Sequence, residues 1–396
     1  MHCEERTRMD GNRQDRKETN FRESDSTEFA RENRYLLDLF ITHWTEPWDI
    51  GKKAFDMLGL QRTVRWEDVR VWLVHDGVPA FPEKYFAGLP FPVHQIELPH
   101  GGIAAARNWG IDHGNGEWIK WCDFDDMFYG IYSLRRLMDA MERGQNFDMM
   151  WFDMTAEDSK DGKGVWLRTD RDPVLIHGKA FRRDWLREHS IRYNEDLTWC
   201  EDSAFLAVCE MECDIRRVGH VACEAPIYAW IVRDGSLCNR PEIRFDNMRS
   251  FFKRHKYVQE EFRKRGLMGS YYTMTVRIMG DCYRHLFMED VQNDTTEYRR
   301  DILEYWKEHR DDFFKVDRER YELALKAVEE ESRFEIKGVV YAKKINREDF
   351  RAWLRSMTKE IREIESAKPE DDKAEDKAVE TGEAKQALGR DDGCST

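Results

Sequence analysis

Three carboxylates lie within four consecutive positions of the sequence, at Asp123, Asp125 and Asp126. We call residues 123–126 the acidic run. Like charges this close repel one another, so a positive partner is expected, and a hard divalent cation with oxygen ligands meets that need. Such an ion can bridge the two phosphates of a nucleoside diphosphate and stabilise the charge on a leaving group. The alternative is a solvated turn, or an N-terminal cap for the helix that follows.

Apolar runs alternate with segments of helical spacing in the first part of the chain, and the acidic run follows one of those apolar runs directly. Strands are predicted at residues 36–41, 69–74, 93–98 and 118–122. Helices are predicted at residues 47–60, 104–113 and 131–143. This alternation predicts an α/β fold with a mixed, mostly parallel sheet flanked by helices. Ligands bind such sheets at the carboxyl ends of the strands, so Asp76 and the acidic run are expected to line one site.

The pattern changes after about residue 240. Charged segments with apolar residues at helical spacing continue to about residue 364 and predict a helical C-terminal region. Both ends of the chain are charged and carry few apolar residues, which predicts disorder. The predicted organisation is a disordered leader at 1–33, an α/β domain at 34–240, a helical region at 241–366 and a disordered charged tail at 367–396.

The composition limits the classes of partner. The 396 residues carry a formal net charge of -14, which disfavours nucleic acid as the main partner. The 9 cysteines are scattered without zinc-ligand spacing, which indicates free thiols in a reducing compartment. No apolar run reaches the ~18 residues that a membrane span needs, and the N-terminus has no secretory pattern. We therefore expect a cytoplasmic protein, while contact with a membrane surface and the oligomeric state stay open.

Four groups of residues occur in the order found in one known family. The first strand leads into Thr42-His43-Trp44-Thr45-Glu46-Pro47, and Ala-Arg-Asn-Trp-Gly-Ile at 106–111 comes before Gly116-Glu117, a strand and the acidic run. Gly-Lys-Ala-Phe at 178–181 leads to Glu201-Asp202, and Tyr-Ala-Trp at 228–230 comes before Arg233, Gly235 and Ser236. Together these motifs resemble the family 2 glycosyltransferases of the GT-A fold, over roughly residues 36–237.

The resemblance implies that residues 34–240 form a GT-A-like catalytic domain with a nucleotide-sugar site. The residues it implies for donor binding are Thr42, His43, Trp44, Asp76, Arg107, Asn108, Asp123, Arg233 and Ser236. The metal ligands it implies, for Mn²⁺ or Mg²⁺, are Asp125, Asp123 and Asp126. Family frequency favours a UDP-sugar as the donor. His75 stands where the family usually has an acid, which leaves the choice of nucleotide open.

The resemblance also implies the catalytic residues. Asp202 matches the base that takes the proton of an acceptor hydroxyl, and Glu201 beside it would raise its pKa by repulsion or orient it. The alternative for both acids is a position in the first turn of the helix that the apolar run from Ala204 predicts. The implied reaction is a single in-line displacement with inversion, onto a glycan, lipid-carrier or polymer hydroxyl. His177 and His220 are further candidates near the phosphates or the metal.

Other functions use similar residues. A nucleotidyltransferase would also need paired carboxylates, but no Gly-rich phosphate loop with Lys or Arg lies near the first strand. A glycoside hydrolase needs two carboxylates that flank the bond, which leaves the clustering of the acidic run unexplained. A non-catalytic binding protein on a decayed transferase fold stays open, although Asp125 and Asp202 are retained. A phage-type transferase that glycosylates modified DNA bases also stays open, although the net charge disfavours it.

Overall fold

The computed structural model divides the chain into two compact units, at residues 1–269 and 270–396. The described residues are 35–158, 165–169, 175–213, 217–221, 226–232, 244–288, 295–331, 334–336, 339–341 and 344–367. The division lies beyond the predicted domain boundary at residue 240, because the first helix after that boundary is counted with the first unit. The predicted leader and tail lie outside the described residues.

The first unit is an alternation of strands and helices. Its strands are β1 (Tyr35–His43), β2 (Val69–Asp76), β3 (Val93–Leu98), β4 (Gly116–Asp123), β5 (Met127–Phe128), β6 (Met149–Phe152), β7 (Met154–Asp158), β8 (Val165–Thr169), β9 (Lys179–Arg182), β10 (Val218–Val221) and β11 (Tyr228–Val232). Its helices are α1 (Trp48–Gly59), α2 (Gly102–His113), α3 (Ser133–Arg143), α4 (Arg183–Glu188), α5 (Glu201–Glu212) and α6 (Arg244–Lys264). Short 3₁₀ turns lie at Trp66–Asp68 and Glu83–Tyr85.

The main sheet has seven strands in the order β10-β6-β9-β4-β1-β2-β3. Strand β9 is antiparallel to both of its neighbours, and the other pairs are parallel. The predicted fold class, a mixed and mostly parallel sheet flanked by helices, is therefore confirmed. A second sheet of four strands, in the order β5-β11-β7-β8, brings β11 beside the short strand that follows the acidic run.

Strand β4 supplies side chains to a hydrophobic core on each face of the main sheet, because neighbouring residues of a strand point to opposite faces. Trp118 packs with residues of α1 and α3, such as Phe55 and Leu137. Trp121 packs in the other core with residues of α2 and α5, such as Phe205. Both tryptophan side chains are fully buried, so the strand that ends in the acidic run is fixed from both sides.

A buried aspartate fixes the amino-terminal side of the same strands. Asp38, within β1, accepts hydrogen bonds from Arg70 Nε and Nη2 at 2.7 and 2.9 Å. Its Oδ2 atom also accepts from the backbone amide of Gly116 at 2.6 Å, at the start of β4. A charged group inside a sheet is stable only when it is paired and hydrogen-bonded, and here the pairing locks β1 to β2 and β4.

The second unit is mostly helical. Its elements are α7 (Met268–Phe287), α8 (Thr296–Phe313), α9 (Arg318–Glu331), β12 (Phe334–Ile336), β13 (Val339–Tyr341) and α10 (Arg347–Ala367). The two short strands pair antiparallel with each other. Apolar side chains of α8 and α10, such as Trp306 and Leu354, are buried. The predicted helical region is thus present, and among the described residues no helix is long and apolar enough to cross a membrane.

Candidate active site

The carboxyl ends of three parallel strands meet at one edge of the main sheet. In the register of β1, Thr42 is paired with Val74 of β2 on one side and with Asp123 of β4 on the other. The Thr42 hydroxyl donates a hydrogen bond to Asp123 Oδ1 at 3.2 Å, and its carbonyl accepts one from the Phe124 amide at 3.0 Å. The start of the acidic run is therefore fixed to the end of the neighbouring strand.

Phe124 is the apolar member of the acidic run and holds the acids in place. Its side chain is 1% exposed and packs against helix α1 at Gly51. A Cβ atom on Gly51 would lie 2.1 Å from Phe124 Cζ, so the ring occupies the space that any larger residue would need. The buried ring fixes the backbone between Asp123 and Asp125.

Strand β11 holds the last acid of the run. Asp126 Oδ2 accepts a hydrogen bond from the Tyr228 hydroxyl at 2.9 Å, and Oδ1 accepts one from the Ile231 amide at 2.8 Å. Burial raises the pKa of Asp126 well above its usual value, and repulsion from Asp125 and Asp123 adds to the effect. A positive charge placed here would therefore be strongly stabilised.

His177 lies against the acidic run and completes a candidate metal centre. Its Nε2 atom is 3.6 Å from Asp123 Oδ2, and its Nδ1 atom is 3.8 Å from Asp126 Oδ2. One ligand atom from each of these three residues lies within 4.8 Å of the others. Within the described part of the chain, the buried Nδ1 atom has no hydrogen-bond partner. Two carboxylates and one imidazole form a mixed oxygen and nitrogen donor set, so these residues fit a divalent metal ion.

Electrostatics favour metal binding by the same residues. Burial lowers the pKa of His177, which favours the neutral imidazole that a metal needs. Burial alone would raise the pKa of Asp123, but His177 and Arg107 bring it below its usual value. Asp125 is half-buried and lies outside this three-residue group, although the sequence pattern predicts it as a ligand.

Arg107 connects the acidic run to a second group of acids. Its guanidinium, on helix α2, is 1% exposed. Nη2 donates to Asp123 Oδ1 at 3.1 Å, while Nη1 donates to Glu201 Oε1 at 3.1 Å and to Asp202 Oδ1. One buried cation thus neutralises part of the charge of three carboxylates. The family resemblance implies donor binding by Arg107, and the structure places its side chain among these acids.

Glu201 and Asp202, which we call the acid pair, begin helix α5. The preceding residue, Cys200, has a left-handed backbone with φ of 65°, which turns the chain sharply before the helix. Asp202 Oδ2 lies 3.4 Å from the backbone amide of Ile176. Burial raises the pKa of Glu201 to about 8, and repulsion from Asp202 adds to this shift against the opposing effect of Arg107. At neutral pH, Glu201 is therefore mostly protonated.

Helix α6 supports the helix that carries the acid pair. Arg254 Nη2 donates to the carbonyl of Ser203 at 3.2 Å, in the first turn of α5. Arg265, just after α6, forms an ion pair with Glu212 at the other end of α5. The first helix of the predicted C-terminal region thus braces the acid pair.

The sequence of this α/β unit matches a known family. Residues 48–194 match the family model described as Glycosyl transferase family 2. This segment is therefore similar to the family 2 glycosyltransferases. The resemblance to this family that the motifs indicate is therefore confirmed over these residues. They include the acidic run, Arg107 and His177. No curated protein matches the chain at a significant level.

Three solved structures show more distant similarity to this chain. S. aureus TarS is 14% identical, with 78% of this chain and 59% of that chain covered and a TM-score of 0.49. The chain thus spans 59% of the length of that TarS structure. TarS 1-349 in complex with UDP-GlcNAc is 16% identical, with 78% and 97% covered and a TM-score of 0.44. The mannosyltransferase PcManGT from Pyrobaculum calidifontis, in complex with GDP-Man and Mn2+, is 14% identical, with 74% and 86% covered and a TM-score of 0.42.

Other predicted donor-binding residues lie along the same sheet edge. Trp44 is 42% exposed and stacks on His100, with ring centroids 5.6 Å apart. Asp76 accepts hydrogen bonds from His100 Nδ1 at 2.9 Å and from the Gly101 amide at 2.7 Å. Trp44 thus offers an exposed ring at this edge, whereas Asp76 fixes the loop that comes before α2.

Two further predicted residues are held inside the domain. His43 is buried, with Nδ1 2.9 Å from His75 Nδ1 and Nε2 2.9 Å from the Glu46 carbonyl. The Asn108 amide nitrogen donates to the Tyr193 carbonyl at 3.0 Å and to Glu195 Oε1 at 2.8 Å. The structure therefore places both side chains in hydrogen bonds within the protein.

Some predicted residues cannot be assigned a structural role. Arg233 and Ser236 lie outside the described residues. The backbone of His220 lies on β10, opposite Trp151 of β6, and its side chain lies outside the described part.

Sequence reasoning assigned no role to Tyr228 or Lys120. Lys120 Nζ is fully buried beside the acidic run and donates to the His177 carbonyl. Burial lowers the pKa of Lys120. The sequence offers two signals for these positions: a lysine within the apolar run at 118–122, and a tyrosine at the start of the motif at 228–230.

Proposed function

We propose that this chain is a metal-dependent inverting glycosyltransferase that moves a sugar from a nucleotide-sugar to a hydroxyl of a glycan, lipid-carrier or polymer acceptor. A UDP-sugar is the proposed donor, on the family resemblance, and Mn²⁺ or Mg²⁺ the proposed ion. One observation carries the proposal. The buried guanidinium of Arg107 contacts both Asp123 of the acidic run and the acid pair, so the proposed metal ligand and the proposed general base share one hydrogen-bond donor.

The donor side consists of the acidic run, His177 and the adjoining sheet edge. Asp123, Asp126 and His177 would hold the ion, and Asp125 is a further ligand in the proposal. A bound Mn²⁺ or Mg²⁺ supplies positive charge that offsets the charge developing on the leaving diphosphate. Trp44 offers an exposed aromatic surface on which a nucleobase can stack.

The acceptor side consists of the acid pair. In the proposed reaction, Asp202 removes the proton of the acceptor hydroxyl as its oxygen bonds to the anomeric carbon. The bond from that carbon to the phosphate oxygen breaks at the same time, and the nucleoside diphosphate leaves with the bonding electrons. Attack from the face opposite the leaving group inverts the anomeric centre. Arg107 orients Asp202 through its hydrogen bond. Glu201 is the alternative base only in its deprotonated form, since its pKa is raised to about 8.

A thermal-shift panel with UDP, GDP, CDP and ADP, each with and without Mn²⁺, tests the proposal. A ligand that binds only the folded protein raises stability by about 2.7 kcal/mol at a hundred times its dissociation constant. We expect a Mn²⁺-dependent shift with one nucleotide, and UDP is the proposed one. The corresponding UDP-sugars then identify the donor through UDP release in the presence of acceptor glycans.

The alternatives predict different results in the same panel. A non-catalytic protein on a decayed transferase fold shows no Mn²⁺-dependent nucleotide shift in a folded sample, and that outcome would contradict the proposal. A transferase acting on modified DNA bases shows the shift but releases UDP only when DNA is the acceptor.

A further inference from the structure

The fully buried side chain of Tyr228, on β11, contacts each part of the candidate metal centre. Its hydroxyl donates a hydrogen bond to Asp126 Oδ2 at 2.9 Å. The same oxygen accepts one from the backbone amide of Asp123 at 3.2 Å. One phenol group thus fixes two members of the acidic run, and it uses its only donor for a carboxylate.

The ring of Tyr228 fixes the third member of the centre. It stacks on the His177 imidazole with centroids 5.3 Å apart and an interplanar angle of 2°. Lys120 Nζ lies 4.7 Å from the centroid of the same ring and donates to the backbone carbonyl of His177. His177 is therefore held through its ring by Tyr228 and through its backbone by Lys120.

The backbone of Tyr228 is itself fixed. It is paired antiparallel with Phe128 of β5, two residues after the acidic run, and parallel with Met154 of β7. Because a strand paired on both sides has little freedom, the hydroxyl is presented to Asp126 at a set position. Outer partners of this kind orient metal ligands and set the affinity of a metal site.

We propose that Tyr228 is a positioning residue of the metal centre, which sets metal affinity by orienting Asp126 through its hydroxyl and His177 through its ring. The inference rests on the proposed metal dependence and adds Tyr228 to the residues that support the proposed metal site. No ligand bond from Tyr228 to the ion is required. The effect of its hydroxyl on the ion passes through Asp126.

The test is the Mn²⁺ dissociation constant of the full chain and of Tyr228→Phe, measured by electron paramagnetic resonance without nucleotide. The substitution removes the hydroxyl and keeps the ring. We expect Mn²⁺ binding to weaken about 10- to 100-fold, which is the usual effect of losing an outer partner of a metal ligand. We also expect the visible spectrum of bound Co²⁺ to change, since that spectrum reports the geometry of the ligands.

A matched control separates this role from a general loss of packing. Tyr298→Phe, in α8 of the second unit, also removes a buried hydroxyl, one that donates to Cys282 Sγ at 3.5 Å. It should lower the melting temperature without changing the Mn²⁺ dissociation constant. An unchanged Mn²⁺ dissociation constant and Co²⁺ spectrum in Tyr228→Phe would overturn the inference.

A double-mutant cycle with Asp126→Asn tests whether the effect passes through Asp126. If it does, the double variant binds Mn²⁺ no more weakly than Asp126→Asn alone. If the two substitutions weaken Mn²⁺ binding independently, so that their factors multiply in the double variant, the inference would be overturned. The proposed function would not be affected. A wild-type chain that binds no Mn²⁺ would overturn both.

Discussion

Arg107 donates a hydrogen bond from Nη1 to Glu201 Oε1 at 3.1 Å, inside the candidate active site. The same guanidinium contacts Asp202 and Asp123, so the charges on the two sides of the candidate active site share one counterion. A charge change at the acidic run, such as the arrival of a cation, therefore acts on the acid pair through Arg107.

Arg107→Met should destabilise the protein by about 3–5 kcal/mol, because it leaves buried carboxylates without their cation. Urea unfolding at pH 7 measures this loss. Arg192→Met is the matched control, since Arg192 pairs with Asp112 at 2.6 Å on the surface and both side chains are more than 40% exposed. A surface pair contributes at most about 1 kcal/mol. Equal losses in the two variants would contradict the central role of Arg107.

Glu201→Gln should stabilise the protein more at pH 8.5 than at pH 5. The pKa of Glu201 is raised to about 8, so the folded state holds a proton that the unfolded chain has lost above its ordinary value of 4.5. Stability is therefore lost as the pH rises through this window, and the glutamine variant is free of that loss. Melting temperatures at both pH values test this, with Glu360→Gln, on the exposed face of α10, as the control.

The His75→Asn variant should lose less stability than the wild type as the pH falls. Burial lowers the pKa of His75 to about 4, below its ordinary value of 6.5. As the pH falls from 6.5 to 4, the unfolded chain gains a proton that the folded chain does not, so wild-type stability declines by up to about 3 kcal/mol. Urea unfolding at pH 7 and pH 4.5 should show a smaller decline in the variant.

Two other histidines, His285 and His113, matter for the interpretation of that measurement. His285 in α7 has a pKa lowered by burial to about 3, so it contributes a similar decline that remains in His75→Asn. His113→Asn, at the exposed end of α2, is the control and should leave the pH dependence as it is in the wild type. A decline in His75→Asn as steep as that of the wild type would contradict the buried, neutral state of His75.

Asp202→Asn should keep Mn²⁺-dependent nucleotide binding and lose sugar transfer by about 10²- to 10⁴-fold, the usual contribution of a general base. Asp125→Ala should instead lose the nucleotide binding that depends on Mn²⁺. Transfer rates and thermal shifts measured on the same samples separate the two roles. If Asp202→Asn transfers sugar at the wild-type rate while Glu201→Gln does not, then Glu201 is the base.

The order of strands and helices could be predicted as far as α3 because apolar runs and helical segments alternate cleanly there. The antiparallel strand β9 and the four-stranded sheet could not be predicted from the sequence. Their pairing joins segments such as β5 and β11, whose partners Phe128 and Tyr228 are 100 positions apart. Local periodicity carries no information on pairings of that range.

The candidate site was predictable where it follows strand ends and family motifs, as for Asp123 and the acid pair. The contacts of Arg107 were not predictable. The sequence around an arginine does not show whether its guanidinium will contact a phosphate or form a buried ion pair. The sequence offers His177 as one of two candidate histidines near the site. Only the folded chain brings it against Asp123 and Asp126.

Asp126 owes its two hydrogen bonds to Tyr228 and Ile231, which emerge from the ribosome about a hundred residues after it. A nascent chain that has reached residue 194, where the family match ends, already carries the whole acidic run but neither the acid pair nor β11. Until β11 joins the sheet, the acids lack the partners that orient them. The site is therefore completed only after residue 231 has been synthesised, and a fragment that ends with the family match would hold the acidic run without two hydrogen-bond partners of Asp126.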